Sequence, residues 1–296
     1  MYLIFRKLLQ NIRSLTLIIF PKNFIFDNFF INIYFFLKKK RFPKDKYKFW
    51  DHLALIHLSK DIGNEFHTYI TDKIYVKDYI SKKIGEQFII PTLGLYDRNN
   101  ISELKDYVVN KNIIIKPTHL SGQTLIPKVD SIIGKKQFLL IQNWLNMNHY
   151  FYKRERNYKN LTPRVVVEPL LNDLENIIDY KFFCYKGKAK FIEVFHSRNK
   201  GVKKITLDLN WNKIPTTSII DKKMLSEIIP KKPKFLKYMV EIASKISKEF
   251  NSVRVDILAN ENNFYICELT LVHDYSGYFY PKKKDGEELI SNIFFK

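Results

Sequence analysis

VRVDILANENNFYICELT, residues 253–270, alternates apolar and polar side chains on both sides of a short polar break. Alternation with period two marks half-buried strands. Residues 253–259 and 264–270 are therefore expected to form a hairpin, joined by Glu261, Asn262 and Asn263, where Asn tolerates a left-handed turn. Pairing symmetric about Asn262 sets Asp256 opposite Glu268, Arg254 opposite Thr270 and Leu258 opposite Ile266, all on one face. Val253, Val255, Ile257, Cys267, Leu269 and Leu271 take the other face and are expected in the core. Two opposed carboxylates repel unless a cation or protons lie between them. Magnesium, which takes oxygen ligands from one or two carboxylates plus substrate phosphates, fits the pair. Neutralisation by Arg254, two residues along the same face, fits it as well.

Upstream of the hairpin, Leu236, Met239, Val240, Ala243, Ile246 and Phe250 recur at helical spacing and predict a helix over 235–250 with one buried stripe. Residues 179–194 read as a second hairpin turning at Lys186 and Gly187, with Asp179 and Lys181 on a polar face suited to a cleft. The apolar runs 88–90, 113–115 and 165–167 predict buried strands, so helices packed on a sheet are expected. Lys116 follows the second run and precedes Pro117, a strand end. The loop Thr118-His119-Leu120-Ser121-Gly122-Gln123 beyond it offers backbone donors and hydroxyls suited to phosphate oxygens. Glu168 ends the third run, where Arg164, Lys116 or a nucleotide ribose would partner an otherwise isolated acid. Residues 51–60 read as a helix, and Thr71 or Asp72 caps a second one that ends at Gly85, with Lys73 in its first turn.

The chain has 50 Lys plus Arg against 30 Asp plus Glu, a net charge of +20 spread along 296 residues. Such a field attracts polyanions: nucleic acid, anionic lipid, nucleotide or acidic glycan. The aromatic residues sit in apolar runs rather than interleaved with Lys and Arg, which argues against nucleic acid. Length and apolar content supply a proper core and exclude disorder. Cys184 and Cys267 are too few for a disulfide framework, and no four-ligand zinc site is expected from them, so a reducing, cytoplasmic setting is expected and both read as inert thiols. No dinucleotide fingerprint, P-loop or His-Glu-x-x-His occurs. The first 43 residues contain no Ala or Gly, so no signal-cleavage site is expected. Lys22 and Asp27 interrupt their apolar stretch below the roughly 20 residues that a membrane helix needs. Phe29, Phe30, Ile31, Ile33, Tyr34, Phe35, Phe36 and Leu37 then run into Lys38, Lys39, Lys40 and Arg41. A buried helix with a solvated basic turn is expected there; peripheral contact of residues 29–41 with an anionic membrane, at its inner face, is the alternative.

The order of these features resembles the TupA-like ATP-grasp family, named after teichuronopeptide biosynthesis. The likeness covers residues 72–281 and rests on Asp72-Lys73, Ile90-Pro91-Thr92-Leu93-Gly94, Lys116 to Gly122, Tyr158-Lys159-Asn160, Pro163-Arg164, Asp179-Tyr180-Lys181-Phe182-Phe183-Cys184, Val253-Arg254-Val255-Asp256 and Glu268-Leu269-Thr270. It implies an α+β ATP-grasp fold over 71–296, with nucleotide held between two α+β subdomains, and leaves 1–70 as an extra N-terminal helical, basic segment. It further implies ATP and Mg2+ as cofactors, with Lys73, Lys116, His119, Ser121 and Gly122 on phosphates and Glu168 and Leu170 near adenosine. Asp256, Glu268 and Thr270 would hold the metal, and Arg254 and Lys181 would stabilise the transferred phosphoryl group. The implied activity is carboxylate–amine ligation through an acyl phosphate, with an acidic glycan or uronic acid and an amino acid or amine as substrates. Sugar or small-molecule phosphorylation, or nucleotide and polyanion binding alone, are the alternatives. The family loop reads His-Gly-Ser-Gly-Gly, whereas Leu120 and Gln123 here replace two glycines. Thr270 stands where the wider superfamily often has Asn.

Overall fold

The computed structural model describes residues 19–105, 107–171, 177–196, 201–215, 224–272 and 286–296. The chain divides into two compact units that interleave in sequence: unit one takes 1–34, 57–74 and 91–170, and unit two takes 35–56, 75–90 and 171–296. In chain order come α1 (Phe24–Lys39), α2 (Phe49–Leu58), α3 (Glu65–Thr71), α4 (Tyr75–Ile84), β1 (Gly94–Tyr96), β2 (Val108–Val109), β3 (Ile113–Pro117) and β4 (Ser131–Ile132). They are followed by α5 (Lys135–Leu145), α6 (Tyr150–Lys153), β5 (Val165–Pro169), β6 (Ile178–Tyr185), β7 (Lys188–His196), β8 (Lys203–Asp208), α7 (Leu236–Ile246), β9 (Ser252–Ala259), β10 (Phe264–Thr270) and α8 (Gly286–Phe295).

Unit one is built on an antiparallel sheet ordered β1-β5-β3. Ile113 and Ile115 of β3 and Val165 and Val167 of β5 point into a core closed by Ile141, Trp144 and Leu145 of α5. The same alternation leaves Ile114 and Lys116 on the other, less buried face of β3. An ion pair is sealed beside this unit's helices. Asp27 of α1 and Arg154, each 1% exposed, meet at 3.0 Å. The Tyr150 hydroxyl donates to both Asp27 oxygens at 2.8 and 3.0 Å, and Arg154 also donates to the carbonyls of Pro21 and Phe20. An acid interrupting an apolar helix is tolerated because its charge is matched and its lone pairs are filled.

Unit two is built on a five-stranded antiparallel sheet ordered β10-β9-β6-β7-β8. Its apolar face carries Tyr180, Phe182, Ile192, Val194, Val255 and Ile257, all buried, and α7 packs on β6, β7 and β9. The β6–β7 turn falls at Lys186 and Gly187 as expected, with φ of 46° and 74°, the geometry of a two-residue hairpin turn that needs glycine's freedom. Phe183 and Phe191 stack at 4.4 Å on the strands' far ends, where Phe49 and Phe294 close over them. Cys184 is buried and its thiol is pushed up to about 12 by burial, which makes it inert. Cys267 is half-buried.

Several expectations are corrected. Residues 88–90 form no strand: a 3-10 turn spans Glu86–Phe88 instead, because three apolar residues in a row carry no period that tells a strand from a turn. The helix after Asp72 begins at Tyr75, so Lys73 lies ahead of it rather than in its first turn; the Asp72 carboxylate accepts the Ile74 N–H at 2.8 Å. In the 253–270 hairpin Asp256 does oppose Glu268 and Arg254 does oppose Thr270, but Leu258 pairs with Tyr265 and Ile266 with Ile257. The connection is four residues long, fastened by the Asn260 side chain, which accepts the N–H groups of Asn262 and Asn263; no residue in it takes a positive φ. Cys267 is the extra residue of a β-bulge, not a core position. Val240 is half-buried, and Ile242 joins the α7 stripe in its place. Helix α1 forms as expected, yet only part of its apolar surface is buried: Ile25, Phe29, Ile33, Phe36 and Leu37 are exposed. Among the described residues no helix is long and apolar enough to cross a membrane.

Two buried histidines give the fold an acid-side dependence. His57 of unit one, bonded to the Arg154 carbonyl at 3.1 Å, and His52 of unit two, edge-on to Tyr185, are both pushed down to about 4 by burial, from an ordinary value of about 6.5. The native state then binds fewer protons than the unfolded chain between those values, so stability is full above about pH 6.5 and falls as pH drops toward 4. Urea midpoints measured across this window should decline in the native chain and decline less in His52→Gln/His57→Gln.

Candidate active site

On the polar face of the five-stranded sheet, antiparallel register draws one residue from each strand into a row: Glu268, Asp256, Lys181, Glu193 and Thr206. The bulge makes the first step of this row. Phe264 and Ile266 point inward, so strict alternation would send Glu268 inward too; the extra residue Cys267 restores Glu268 to the face of Asp256 and returns Leu269 to the core.

Asp256 is 5% exposed and tightly held. Arg254 donates from Nε to Oδ1 and from Nη2 to Oδ2, both at 2.6 Å, and Nη2 also reaches the Thr270 hydroxyl at 3.0 Å. Lys181 Nζ donates to Oδ2 at 2.7 Å and lies 3.1 Å from Asp179. Burial alone would raise the Asp256 carboxyl, but Arg254 and then Lys181 outweigh it and hold it well below the usual carboxylate range. Burial likewise works against the charge on Lys181, and Asp256 overrides it, so the ammonium is held more firmly than usual. The row continues in a buried Lys204–Glu193 pair at 3.0 Å. Asp179 lies beside Lys181 on the polar face that the sequence assigned to both; Glu193 and Lys204 were not among the sequence candidates, though an acid inside the apolar run Phe191-Ile192-Glu193-Val194-Phe195 is a visible signal.

In unit one, three of the separate sequence strings meet. Arg164 pairs with Asp72 at 3.1 Å, the Thr118 hydroxyl donates to the same Asp72 oxygen at 3.1 Å, and the Lys73 N–H bonds to the Thr118 carbonyl at 3.3 Å. Lys73 Nζ donates to the Leu120 carbonyl. The loop after β3 is closed at its base by paired N–H···O bonds between Ile115 and Leu125 at 2.8 and 2.9 Å. Leu120 is buried in the core of the unit, whereas Ser121, Gly122 and Gln123 are exposed. Gly122 takes φ 74° and has open space around it. The buried Leu120 thus anchors the loop while its tip stays in solvent.

His119 is buried. Its Nδ1 accepts the Arg164 N–H at 3.4 Å, which leaves Nε2 to donate to the Trp144 carbonyl at 3.0 Å; burial lowers its basicity and favours this neutral form. Lys116 forms an ion pair with Glu168, one of the three partners left open by the sequence. The two are diagonal neighbours across β3 and β5, and Glu168 is 2% exposed. The following Leu170 N–H bonds to the Asn112 carbonyl at 2.9 Å.

A protein-family model described as TupA-like ATPgrasp matches residues 52–293. Among solved structures, a D-alanine–D-alanine ligase from Helicobacter pylori is 16% identical at a TM-score of 0.42, over 84% of this chain and 70% of that one. One from Bacillus anthracis is 14% identical at 0.42, over 77% and 64%. An ATP-grasp ligase, PsnB, crystallised with a precursor variant, Mg and ADP is 10% identical at 0.39, over 77% and 60%. The chain thus spans less than two thirds of the length of the latter two. No curated protein matches. The similarities to solved structures are too slight to add to the family match, which alone covers most of the sequence: the chain belongs to the TupA-like ATP-grasp family and carries its α+β fold.

Proposed function

We propose that the protein is an ATP- and magnesium-dependent carboxylate–amine ligase that joins an amino acid or amine to the carboxylate of an acidic sugar, a uronic acid of a surface polysaccharide or its precursor. The observation that carries this reading is the opposed Asp256–Glu268 pair with Arg254 and Lys181 set against it on one sheet face. Two carboxylates and the Thr270 hydroxyl are a hard, oxygen-only donor set, which fits magnesium and leaves its other positions to phosphate and water. Magnesium would supply charge neutralisation of the phosphates when bound.

The chain's own residues take the other tasks. Lys73, Lys116, the Ser121 hydroxyl and the Gly122 N–H bind phosphate oxygens, and the buried His119 fixes the base of their loop. Glu168 and Leu170 hold the adenosine. Arg254 and Lys181 offset charge on the transferred phosphoryl group. The sugar carboxylate attacks the γ-phosphorus, the bond to the bridging oxygen breaks and ADP leaves. The amine nitrogen then attacks the acyl carbon, the acyl C–O bond breaks, inorganic phosphate leaves and the amine proton passes to solvent. A chain of net charge +20 suits an acidic substrate.

The test is magnesium-dependent ADP release with a panel of uronic-acid glycans and amino acids, and mass analysis of the product. Turnover that needs both substrates and yields an amide supports ligation; a phosphoester product would make the protein a kinase. Salt-sensitive glycan binding with no turnover under any combination would sink both. Lys116→Met should weaken ATP binding about tenfold in calorimetry, the scale of one hydrogen bond to a charged group. It also removes the counter-charge of Glu168, so melting temperature falls as well. Lys116→Met/Glu168→Gln should recover the melting temperature and not the affinity.

A further inference from the structure

Helix α1 has two opposed apolar faces. At about 100° per residue, Asp27, Ile31 and Phe35 share one side and are buried. Ile25, Phe29, Ile33, Phe36 and Leu37 fall within an arc of about 120° on the other side, and all five are exposed, from 38% at Ile33 to 76% at Ile25. A helix at the surface of a globular protein turns one apolar stripe to the core and polar residues outward. A second stripe of Ile, Phe and Leu in water marks an interaction surface.

Charge decides what covers it. Beyond the helix, Lys38, Lys40, Lys44, Lys46 and Lys48 are exposed, together with Phe42 and Tyr47. The only acids from 19 to 48 are Asp27, buried against Arg154, and Asp45, half-buried with a carboxylate oxygen accepting the Tyr47 N–H. Arg41 is turned inward onto Asp51 and Glu287. The exposed charge that this segment itself carries is therefore positive. A second copy of the chain docked there by a two-fold axis would bring like-charged lysines together. An anionic bilayer offers an apolar boundary for the stripe and negative headgroups for the lysines.

We propose that α1 lies in the interface of an anionic bilayer, with the stripe of residues 25–37 in the acyl boundary and the lysines of 38–48 on the headgroups. The association is peripheral and stands independently of the ligase reading. It is tested by floating the full-length chain with vesicles of phosphatidylcholine mixed with phosphatidylglycerol, and with phosphatidylcholine alone. Beside it go Phe29→Ser/Ile33→Ser/Leu37→Ser and Lys38→Gln/Lys40→Gln/Lys44→Gln/Lys46→Gln, all at exposed positions, with melting temperatures confirming their fold. The native chain should float with the anionic vesicles and weakly with the neutral ones. The serine variant should lose partitioning on the order of tenfold or more at any salt. The glutamine variant should lose severalfold at low salt and little at high salt. A native chain that stays with neither lipid, or a serine variant that floats as well as the native chain, overturns the proposal. So does a native dimer that the serine variant converts to monomer, since a second copy then covers the stripe.

Discussion

Asp256→Asn should lower magnesium-dependent ADP release by about a thousandfold or more, the scale expected when a metal-binding or charge-stabilising group is lost from a phosphoryl-transfer site. It should also lower stability. Arg254 and Lys181 both converge on this carboxylate in a buried setting, and removing the shared anion leaves two cations without it, at a cost of up to about 3–5 kcal/mol. Glu268→Gln separates the effects, because Glu268 is only half-buried: turnover should collapse while the urea midpoint moves little. Turnover retained by folded Asp256→Asn would remove the metal-binding role from the hairpin.

The largest effect on stability is expected at Asp27. Asp27→Asn leaves the Arg154 guanidinium, 1% exposed, without its counter-charge, and unfolding free energy should fall by about 3–5 kcal/mol. Urea denaturation of the two proteins measures it. Replacing the whole pair, Asp27→Leu/Arg154→Met, should recover only part of the loss: it removes the uncompensated charge, but the buried Tyr150 hydroxyl loses its acceptor and the Pro21 and Phe20 carbonyls lose a donor. If the single variant unfolds at the native midpoint, the pair contributes nothing and α1 is held by packing alone.

The hairpin at 253–270 and the opposition of its two carboxylates were legible because polar residues interrupt an apolar background at regular spacing. The bulge was not: Ile266 and Cys267 are both apolar, so alternation cannot say which of them is surplus. The β6–β7 turn was legible because Gly follows Lys between two alternating runs. Strand β8 was missed, as Lys203-Lys204 looks like solvated charge although Lys204 is buried on Glu193. Asp27 reads in the sequence as a flaw in an apolar stretch; its partner lies 127 residues away, a distance no local pattern spans. For the loop after β3, the strand end and the polar tip were readable, while the anchoring of Leu120 depends on the core of unit one. Tertiary pairing, in each case, decides what local periodicity leaves open.

The surplus residue at Cys267 gives the hairpin two reading frames, one from Phe264 to Ile266 and another from Glu268 onward. Its side chain is half-buried, and its presence sets the parity of everything after it. A one-residue deletion between 264 and 268 would turn Glu268 toward the core and Leu269 toward solvent, whereas a substitution at the same place would leave both where they are. At this hairpin the chemistry depends on chain length more strictly than on the residue that supplies it.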